Sequence, residues 1–168
     1  MRVRGARPRD ARALARLVES VAQEPQPTLL MLPGESKARL WRRRVAAASR
    51  DFRSLYVVGM VDGELVGDLG LERDPHPCSE HVVWVGVSVG REWRGLGVGS
   101  ALLRTAVGWA AANGVEKLAL GVFPENTRAL AFYERHGFAR EGCRRAHYRR
   151  GERYHDEALM ARFLRPVS

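Results

Sequence analysis

Residues 82–105, VVWVGVSVGREWRGLGVGSALLRT, set the arrangement of the whole chain. Val83, Val85, Val87 and Val89 alternate with Trp84, Gly86 and Ser88, the period of a strand built from strong β formers. Arg94-Gly95-Leu96-Gly97-Val98-Gly99 follows as a turn with little side-chain bulk. From Ser100 the residues Ala101, Leu102, Leu103, Ala106, Val107, Trp109 and Ala110 recur at helical spacing. A strand feeding a glycine turn feeding a helix predicts an anion site. The first N–H groups of a helix lack internal partners, and the helix dipole favours negative charge there. Glycine lets the backbone approach a phosphate closely, and Arg94 adds a permanent cation.

Spacing decides among three phosphate motifs. A P-loop needs Gly-x4-Gly-Lys-Ser/Thr. Gly90 and Gly95 have that spacing, but Leu96 and Gly97 stand where Lys and Ser/Thr belong. A dinucleotide fingerprint needs Gly-x-Gly-x-x-Gly, and Ser100 breaks it after Gly95 and Gly97. The third motif, Arg-x-x-Gly-x-Gly, is matched by Arg94, Gly97 and Gly99. In this the stretch resembles the pyrophosphate loop of the GNAT superfamily, the acyl-coenzyme A-dependent N-acetyltransferases. The remaining alternative for these few residues is a plain glycine-rich strand-to-helix turn.

Outward from this stretch, 168 residues fit one domain, 1–168, with a proper core. Hydrophobic content of 45% and charged content of 28% are globular. No apolar run approaches ~20 residues, so no membrane partner is expected. The arginine-rich start, MRVRGARPRDARALARL, lacks the apolar core of a secretory signal. Cys78 and Cys143 are too few for a disulfide framework, and a cytoplasmic chain with reduced thiols is expected. The net charge of +9 is nearly all arginine, since Lys37 and Lys117 are the only lysines. Apart from Arg42-Arg43-Arg44 and the group Arg144, Arg145, Arg149, Arg150, the charges are dispersed. No stacking aromatics interleave the first group, so a basic surface with a phosphorylated ligand is expected and nucleic acid is not.

Before the central stretch, Met1 to Gly5 reads as a strand. A helix starts near Pro8 and runs to about Gln23, with Ala11, Leu14, Leu17, Val18 and Val21 on one face. The segment EPQPTLLMLPG, 24–34, is a loop or broken helix that presents Leu29, Leu30, Met31 and Leu32 to a substrate pocket or to the core. A second helix covers Glu35 to Ser49, with Leu40, Trp41 and Val45 inward. Leu55 to Glu72 is a hairpin turned at Asp62-Gly63. Gly59, Gly67 and Gly70 predict bulges or close approach of another backbone. After the glycine loop the helix ends at Asn113-Gly114. Lys117 to Val122 is then a strand parallel to the central one. Asn126 caps a helix over Thr127 to His136, and a last hairpin pairs Phe138–Arg149 with Arg153–Leu164.

A second motif settles the resemblance. Asn126-x-x-Ala129-x-x-x-Tyr133-x-x-x-Gly137-Phe138 after a strand is similar to the GNAT superfamily's second motif at every position. Tyr154-x-Asp156-x-x-x-Met160 resembles the amino-acid, polyamine and ribosomal-protein acetyltransferase members. The resemblance covers essentially the whole chain. It implies an α/β (α+β) fold: a mixed, mostly antiparallel bent sheet of about seven strands flanked by about four helices, splayed between strands 4 and 5. It further implies acetyl-CoA as cosubstrate, an amine acceptor, and a homodimer as one possibility. The pantetheine arm would pair with the backbone at Val87 and Val89, and the pyrophosphate would be wrapped by Arg94, Gly95, Leu96, Gly97, Val98, Gly99 and Ser100. Asn126 would hold the pantetheine arm or serve only as a helix cap.

In the matching family position Tyr133 would protonate the departing thiolate; otherwise it is a core aromatic of an amphipathic helix. An alkyl amine has a pKa near ~10, so a proton must leave before attack. The carboxylate that some members carry on the fourth strand is absent here. Glu72, Glu80 and His81 lie near strand ends as candidate bases, directly or through water, and Asp156 and Glu35 are candidates to recognise an amine. An acyl-enzyme on Cys143 is not expected, since no His partner is indicated and a small buried hydrophobe is the commoner state. His76, His136, His147 and His155 have no ligand spacing, so no metal is expected. The resemblance therefore points to an N-acetyltransferase acting by direct attack on a primary amine, most readily an amino acid or related small molecule. A polyamine or protein N-terminus as acceptor, and a non-catalytic acyl-CoA sensor, are the alternatives.

Overall fold

Seven strands form one sheet in the order β1-β2-β3-β4-β5-β7-β6. The computed structural model describes residues 1–26, 28, 31–50 and 54–165; Leu29 and Leu30 of the proline-bounded loop lie outside them. The strands are β1 (Arg2–Gly5), β2 (Ser54–Val61), β3 (Glu64–Arg73), β4 (Val82–Val89), β5 (Lys117–Val122), β6 (Ala139–Arg150) and β7 (Arg153–Phe163). The helices are α1 (Ala11–Ala22), α2 (Ala38–Ala48), α3 (Val98–Ala112) and α4 (Thr127–Arg135). Every neighbouring pair is antiparallel except β4 with β5, which is parallel, as the strand–helix–strand order requires.

Two cores hold the sheet from its two faces. On one side α1 and α2 bury Ala11, Leu14, Ala15, Val18, Trp41 and Val45 against Val58. On the other, α3 and α4 bury Leu102, Leu103, Ala106, Leu130 and Tyr133 against Leu69, Leu71, Val83, Val85, Leu118 and Leu120. The alternation of β4 assigns Val83, Val85, Val87 and Val89 to the α3 face and Trp84, Gly86 and Ser88 to the α1 face. The β2–β3 turn has Asp62 at φ 46° and Gly63 at φ 85°, the paired left-handed conformation of a two-residue hairpin. A bulge falls between Gly59 and Met60, where one was expected. The close approaches at the other strand glycines come from side chains and, at Gly67, also from the β4 backbone, the Ser88 carbonyl oxygen lying 3.1 Å from where a Cβ would be. A Cβ at Gly67 would meet Val98 Cγ1 at 3.0 Å, and one at Gly70 would meet the Tyr56 ring at 2.8 Å.

Two helix starts differ from the sequence reading, each for a local reason. α2 begins at Ala38 rather than Glu35. The Glu35 carboxylate accepts the Leu32 N–H at 2.8 Å, and Ser36 Oγ donates to the Ala15 carbonyl at 2.9 Å, which keeps this stretch out of the helix. α3 begins at Val98, because the Ala101 N–H donates to the Gly97 carbonyl at 3.0 Å. The first turn of that helix is glycine-rich and carries no apolar stripe, so periodicity alone misses it.

Candidate active site

The centre of the sheet unzips. β4 and β5 share three rungs, Val82 with Lys117, Val83 with Leu118 and Trp84 with Ala119. Beyond Trp84, β4 continues through Val85, Gly86, Val87, Ser88 and Val89, and beyond Ala119 β5 continues through Leu120, Gly121 and Val122, with no pairing between them. The outer sides of both strands are committed, β4 to β3 and β5 to β7. The sides facing the fork therefore carry main-chain donors and acceptors without a sheet partner, a requirement that a ligand of amide character meets. Val87 and Val89 lie on the β4 arm of this fork, as the sequence reading expects.

At the open end stands the glycine loop. Gly95 and Gly97 have φ of 83° and 86°, left-handed conformations that side chains resist. They turn the chain so that the N–H groups of Val98, Gly99 and Ser100 precede the first helical bond and point out of the helix start. Gly99 is packed: a Cβ there would meet the Phe132 ring of α4 at 3.3 Å. The loop and α4 are thus in direct contact, and Leu96 is left exposed.

Arg94 sits differently from the expectation of a free cation. Its guanidinium donates to both carboxylate oxygens of Glu24, at 2.5 and 2.8 Å, and its Nε donates to the Val89 carbonyl at 2.9 Å. Its charge is matched locally, and it ties the loop to the end of β4 and to the segment after α1. The cation that sequence reasoning missed is Arg128. Its Nη2 lies 3.6 Å from where a Cβ of Gly95 would be, and the residue is exposed. It falls inside the second motif at a position the motif leaves open.

Tyr133 projects from α4 into the core on the α3 face, 8% exposed, with ring contacts to Phe132 and Phe138. Burial pushes its phenol up to about 12, so the group stays protonated across the physiological range. Its hydroxyl has no hydrogen-bond partner among the described residues. Asn126 caps α4, its Oδ1 accepting the Ala129 N–H at 3.1 Å.

The candidate bases separate by position. Glu80 and His81 lie before Val82, at the zipped end of the fork, and the His81 carbonyl accepts the Glu116 and Lys117 N–H groups. Glu72 is exposed and pairs with Trp84, the last joined rung. It is the nearest of the three to the opening in strand register. Asp68, which the sequence reading did not single out, is buried four residues away on the same face of β3. Its Oδ2 accepts the Tyr56 hydroxyl at 2.8 Å, while its Oδ1 is buried without a partner among the described residues. Desolvation pushes its carboxyl up to about 6. Glu35 and Asp156 are both engaged by backbone, Asp156 accepting the Ala146 N–H at 2.7 Å. Cys143 is exposed on β6, not the buried hydrophobe expected, because that strand lies at the outer rim of the sheet.

A family model described as "Acetyltransferase (GNAT) family" matches residues 15–138. The chain belongs to the GNAT family. It is 33% identical over 110 residues to the L-amino acid N-acetyltransferase AaaT of Escherichia coli K12, a match covering 63% of this chain and 66% of that protein. The chain thus matches just under two thirds of that relative's length. Among solved structures, the ribosomal-protein-alanine N-acetyltransferase of Brucella melitensis superposes with a TM-score of 0.90 at 21% identity, over 98% of this chain and all of that one. The yncA protein of Salmonella typhimurium, solved with its cofactor acetyl-CoA, superposes with a TM-score of 0.89 at 16% identity, over 100% of this chain and 96% of that one. The seven-stranded mixed sheet, its four helices and the β4–β5 fork are those of the GNAT fold. Among the described residues no helix is long and apolar enough to cross a membrane, and no group of three or more His, Cys, Asp or Glu is placed to hold a metal.

Proposed function

We propose that this GNAT protein transfers the acetyl group of acetyl-CoA to a primary amine, most readily that of an amino acid or related small molecule, by direct attack within a ternary complex. The observation that carries this reading is the unzipped β4–β5 pair opening onto a loop turned by Gly95 and Gly97. The backbone at Val87 and Val89, on the arm of β4 without a β5 partner, fits the amide-bearing pantetheine arm, the Val89 carbonyl already accepting from Arg94 Nε. The N–H groups from Gly95 to Ser100 fit the pyrophosphate, with Arg94 anchoring the loop and Arg128 beside it as the exposed cation. Acetyl-CoA supplies an acyl carbon activated as a thioester. The acceptor nitrogen forms the C–N bond, the C–S bond breaks with its electron pair on sulfur, the Tyr133 hydroxyl gives that sulfur its proton, and the proton that the acylated nitrogen sheds restores the tyrosine. A phenol held near 12 carries its proton throughout the physiological range, so it is available to hydrogen-bond and protonate the sulfur as negative charge develops there.

Release of coenzyme A from acetyl-CoA, followed with a thiol dye and corrected for the exposed Cys78 and Cys143, tests the reading against amino acids, polyamines, aminoglycosides and peptide N-termini. Acceptor-dependent release with a kcat that falls on the order of 10²-fold in Tyr133→Phe is the expected result. Release unchanged in that variant would remove the tyrosine's role. Coenzyme A binding without release for any acceptor would make the chain a sensor.

A further inference from the structure

The β6–β7 hairpin carries a buried carboxylate that acyl-donor binding does not use. Glu157 on β7 is 3% exposed. It projects to the face that carries Trp84, Gly86, Ala119 and Gly121, opposite the valines of β4. Its carboxylate lies directly against β5, where a Cβ at position 121 would collide with Glu157 Oε1. Only glycine leaves room for it. Gly121 is two residues past Ala119, the last β5 residue joined to β4, so the carboxylate stands on one wall of the fork. On the other wall, two residues past Trp84, Gly86 is exposed and nothing lies within 4 Å of where its Cβ would be.

The hairpin is distorted around this carboxylate. Between the pairs Arg144–Glu157 and Tyr148–His155, β6 sets residues 145–147 against Asp156 alone. Asp156 pins the resulting bulge through the Ala146 N–H, and Ala146 takes φ 47°, unfavourable for a residue with a side chain. The outcome converges on Glu157. Tyr148 donates to Oε1 at 2.8 Å, Arg144 Nη1 donates to Oε2 at 3.0 Å, and His147 Nε2 stands 3.7 Å from Oε2. Phe123 closes the floor, edge-on to both Tyr148 and His155. Bulges of this kind re-aim side chains beside active sites. An ion pair with a buried carboxylate and a half-exposed guanidinium adds little stability over apolar residues of the same volume, so stability does not account for this one.

We propose that the Glu157–Arg144 pair is the acceptor subsite, and that the acceptor it takes is a zwitterionic amino acid, with the ammonium on Glu157 and the carboxylate on Arg144. This rests on the acetyl-transfer reading above. The Arg144 side chain is 45% exposed and that of Glu157 is 4% exposed, so the guanidinium is the partner that swings outward. Glu157 then exchanges a guanidinium for an ammonium and Arg144 exchanges one carboxylate for another, so neither charge is left unpaired when the acceptor binds. A polyamine would bring a second cation toward Arg144 and Arg145, where it is repelled. An amino-acid amide would keep the Glu157 contact and lose the one to Arg144.

Acceptor kinetics at saturating acetyl-CoA, with L-amino acids, their amides and spermidine, test the assignment. Glu157→Gln is expected to raise the acceptor KM about tenfold or more and to leave the acetyl-CoA KM unchanged. Arg144→Gln should raise KM for amino acids and spare their amides. Gly121→Ala, which displaces the carboxylate without deleting it, should resemble Glu157→Gln. Calorimetric coenzyme A affinity at the wild-type value shows that each variant is folded. Wild-type amino-acid KM in Arg144→Gln, or a wild-type preference for spermidine or for the amides, overturns the subsite. Tight coenzyme A binding with no amino acid bound or acetylated overturns the subsite and spares the donor site, whereas absence of coenzyme A binding overturns both.

Discussion

The two faces of the β4–β5 fork are made of different material. On the α3 face the groups offered to a ligand are main chain: unpaired strand amides and the N–H groups behind Gly97. On the α1 face they are side chains, collected by a bulge onto Glu157 and by buried hydrogen bonds onto Asp68. A main-chain site needs small residues at fixed intervals, and any side chain with room will do elsewhere. A side-chain site needs particular groups, drawn from wherever the sheet brings them together. On the proposed reading, the first kind binds the acyl donor, and the second is free to vary with the acceptor.

The largest effect that would break this division comes from the main-chain side. Gly99→Leu drives a side chain into Phe132, already 3.3 Å from the added Cβ, and obstructs the helix start. Donor binding is expected to be lost, by ~4 kcal/mol or more if affinity falls from about micromolar to about millimolar. Calorimetry with coenzyme A measures it, and the loss should be the same whichever acceptor is present.

Next comes the buried carboxylate of the other face. Asp68 holds its proton more tightly folded, at about 6, than at its ordinary value of 3.8, because burial penalises the charge. The stability that this group contributes is present below about 4 and is lost as pH rises through about 6, by roughly 3 kcal/mol at most. Asp68→Asn should flatten that decline in urea unfolding curves taken between pH 4 and 7. An unchanged slope would mean that the carboxylate is solvated and that this face is not dry. The smallest effect belongs to Arg128→Ala. An exposed cation beside Gly95 should contribute about two- to fivefold in donor affinity, fading as salt is raised. An equal loss at low and high salt would assign Arg128 a packing role instead.

The same division explains what the sequence made readable. The β4–loop–α3 unit, the Asp62-Gly63 hairpin and the Asn126 cap are local, and each is carried by residues whose conformational preferences act within a few positions. The fork follows from the family resemblance and appears in the structure as three rungs followed by separation. Glu157 has no such signal. It stands beside Asp156 in the hairpin motif, and only the bulge reveals that Asp156 braces the backbone while its neighbour faces the fork. For Arg94 spacing is silent on its partner, since Glu24, far off in sequence, holds its charge. Glu80 and His81 look eligible in one dimension and sit at the wrong end of β4 in three.

The arginine surplus acquires a purpose at the rims of the sheet. β6 is the terminal strand on one side and β1 on the other, and each leaves a ladder of main-chain groups open to an incoming strand. β6 carries exposed Arg140, Arg144, Arg145 and Arg149, and β1 carries exposed Arg2, the Arg4 guanidinium being held by Asp10. A second copy approaching either rim in register meets guanidinium with guanidinium, and the bulge at 145–147 spoils the fit. Accretion of strand upon strand is opposed electrostatically, over about 10 Å at 0.1 M salt and over a shorter range as ions are added. Ionic strength is therefore the condition that loosens this guard, and concentrated salt is where unwanted polymer would first form.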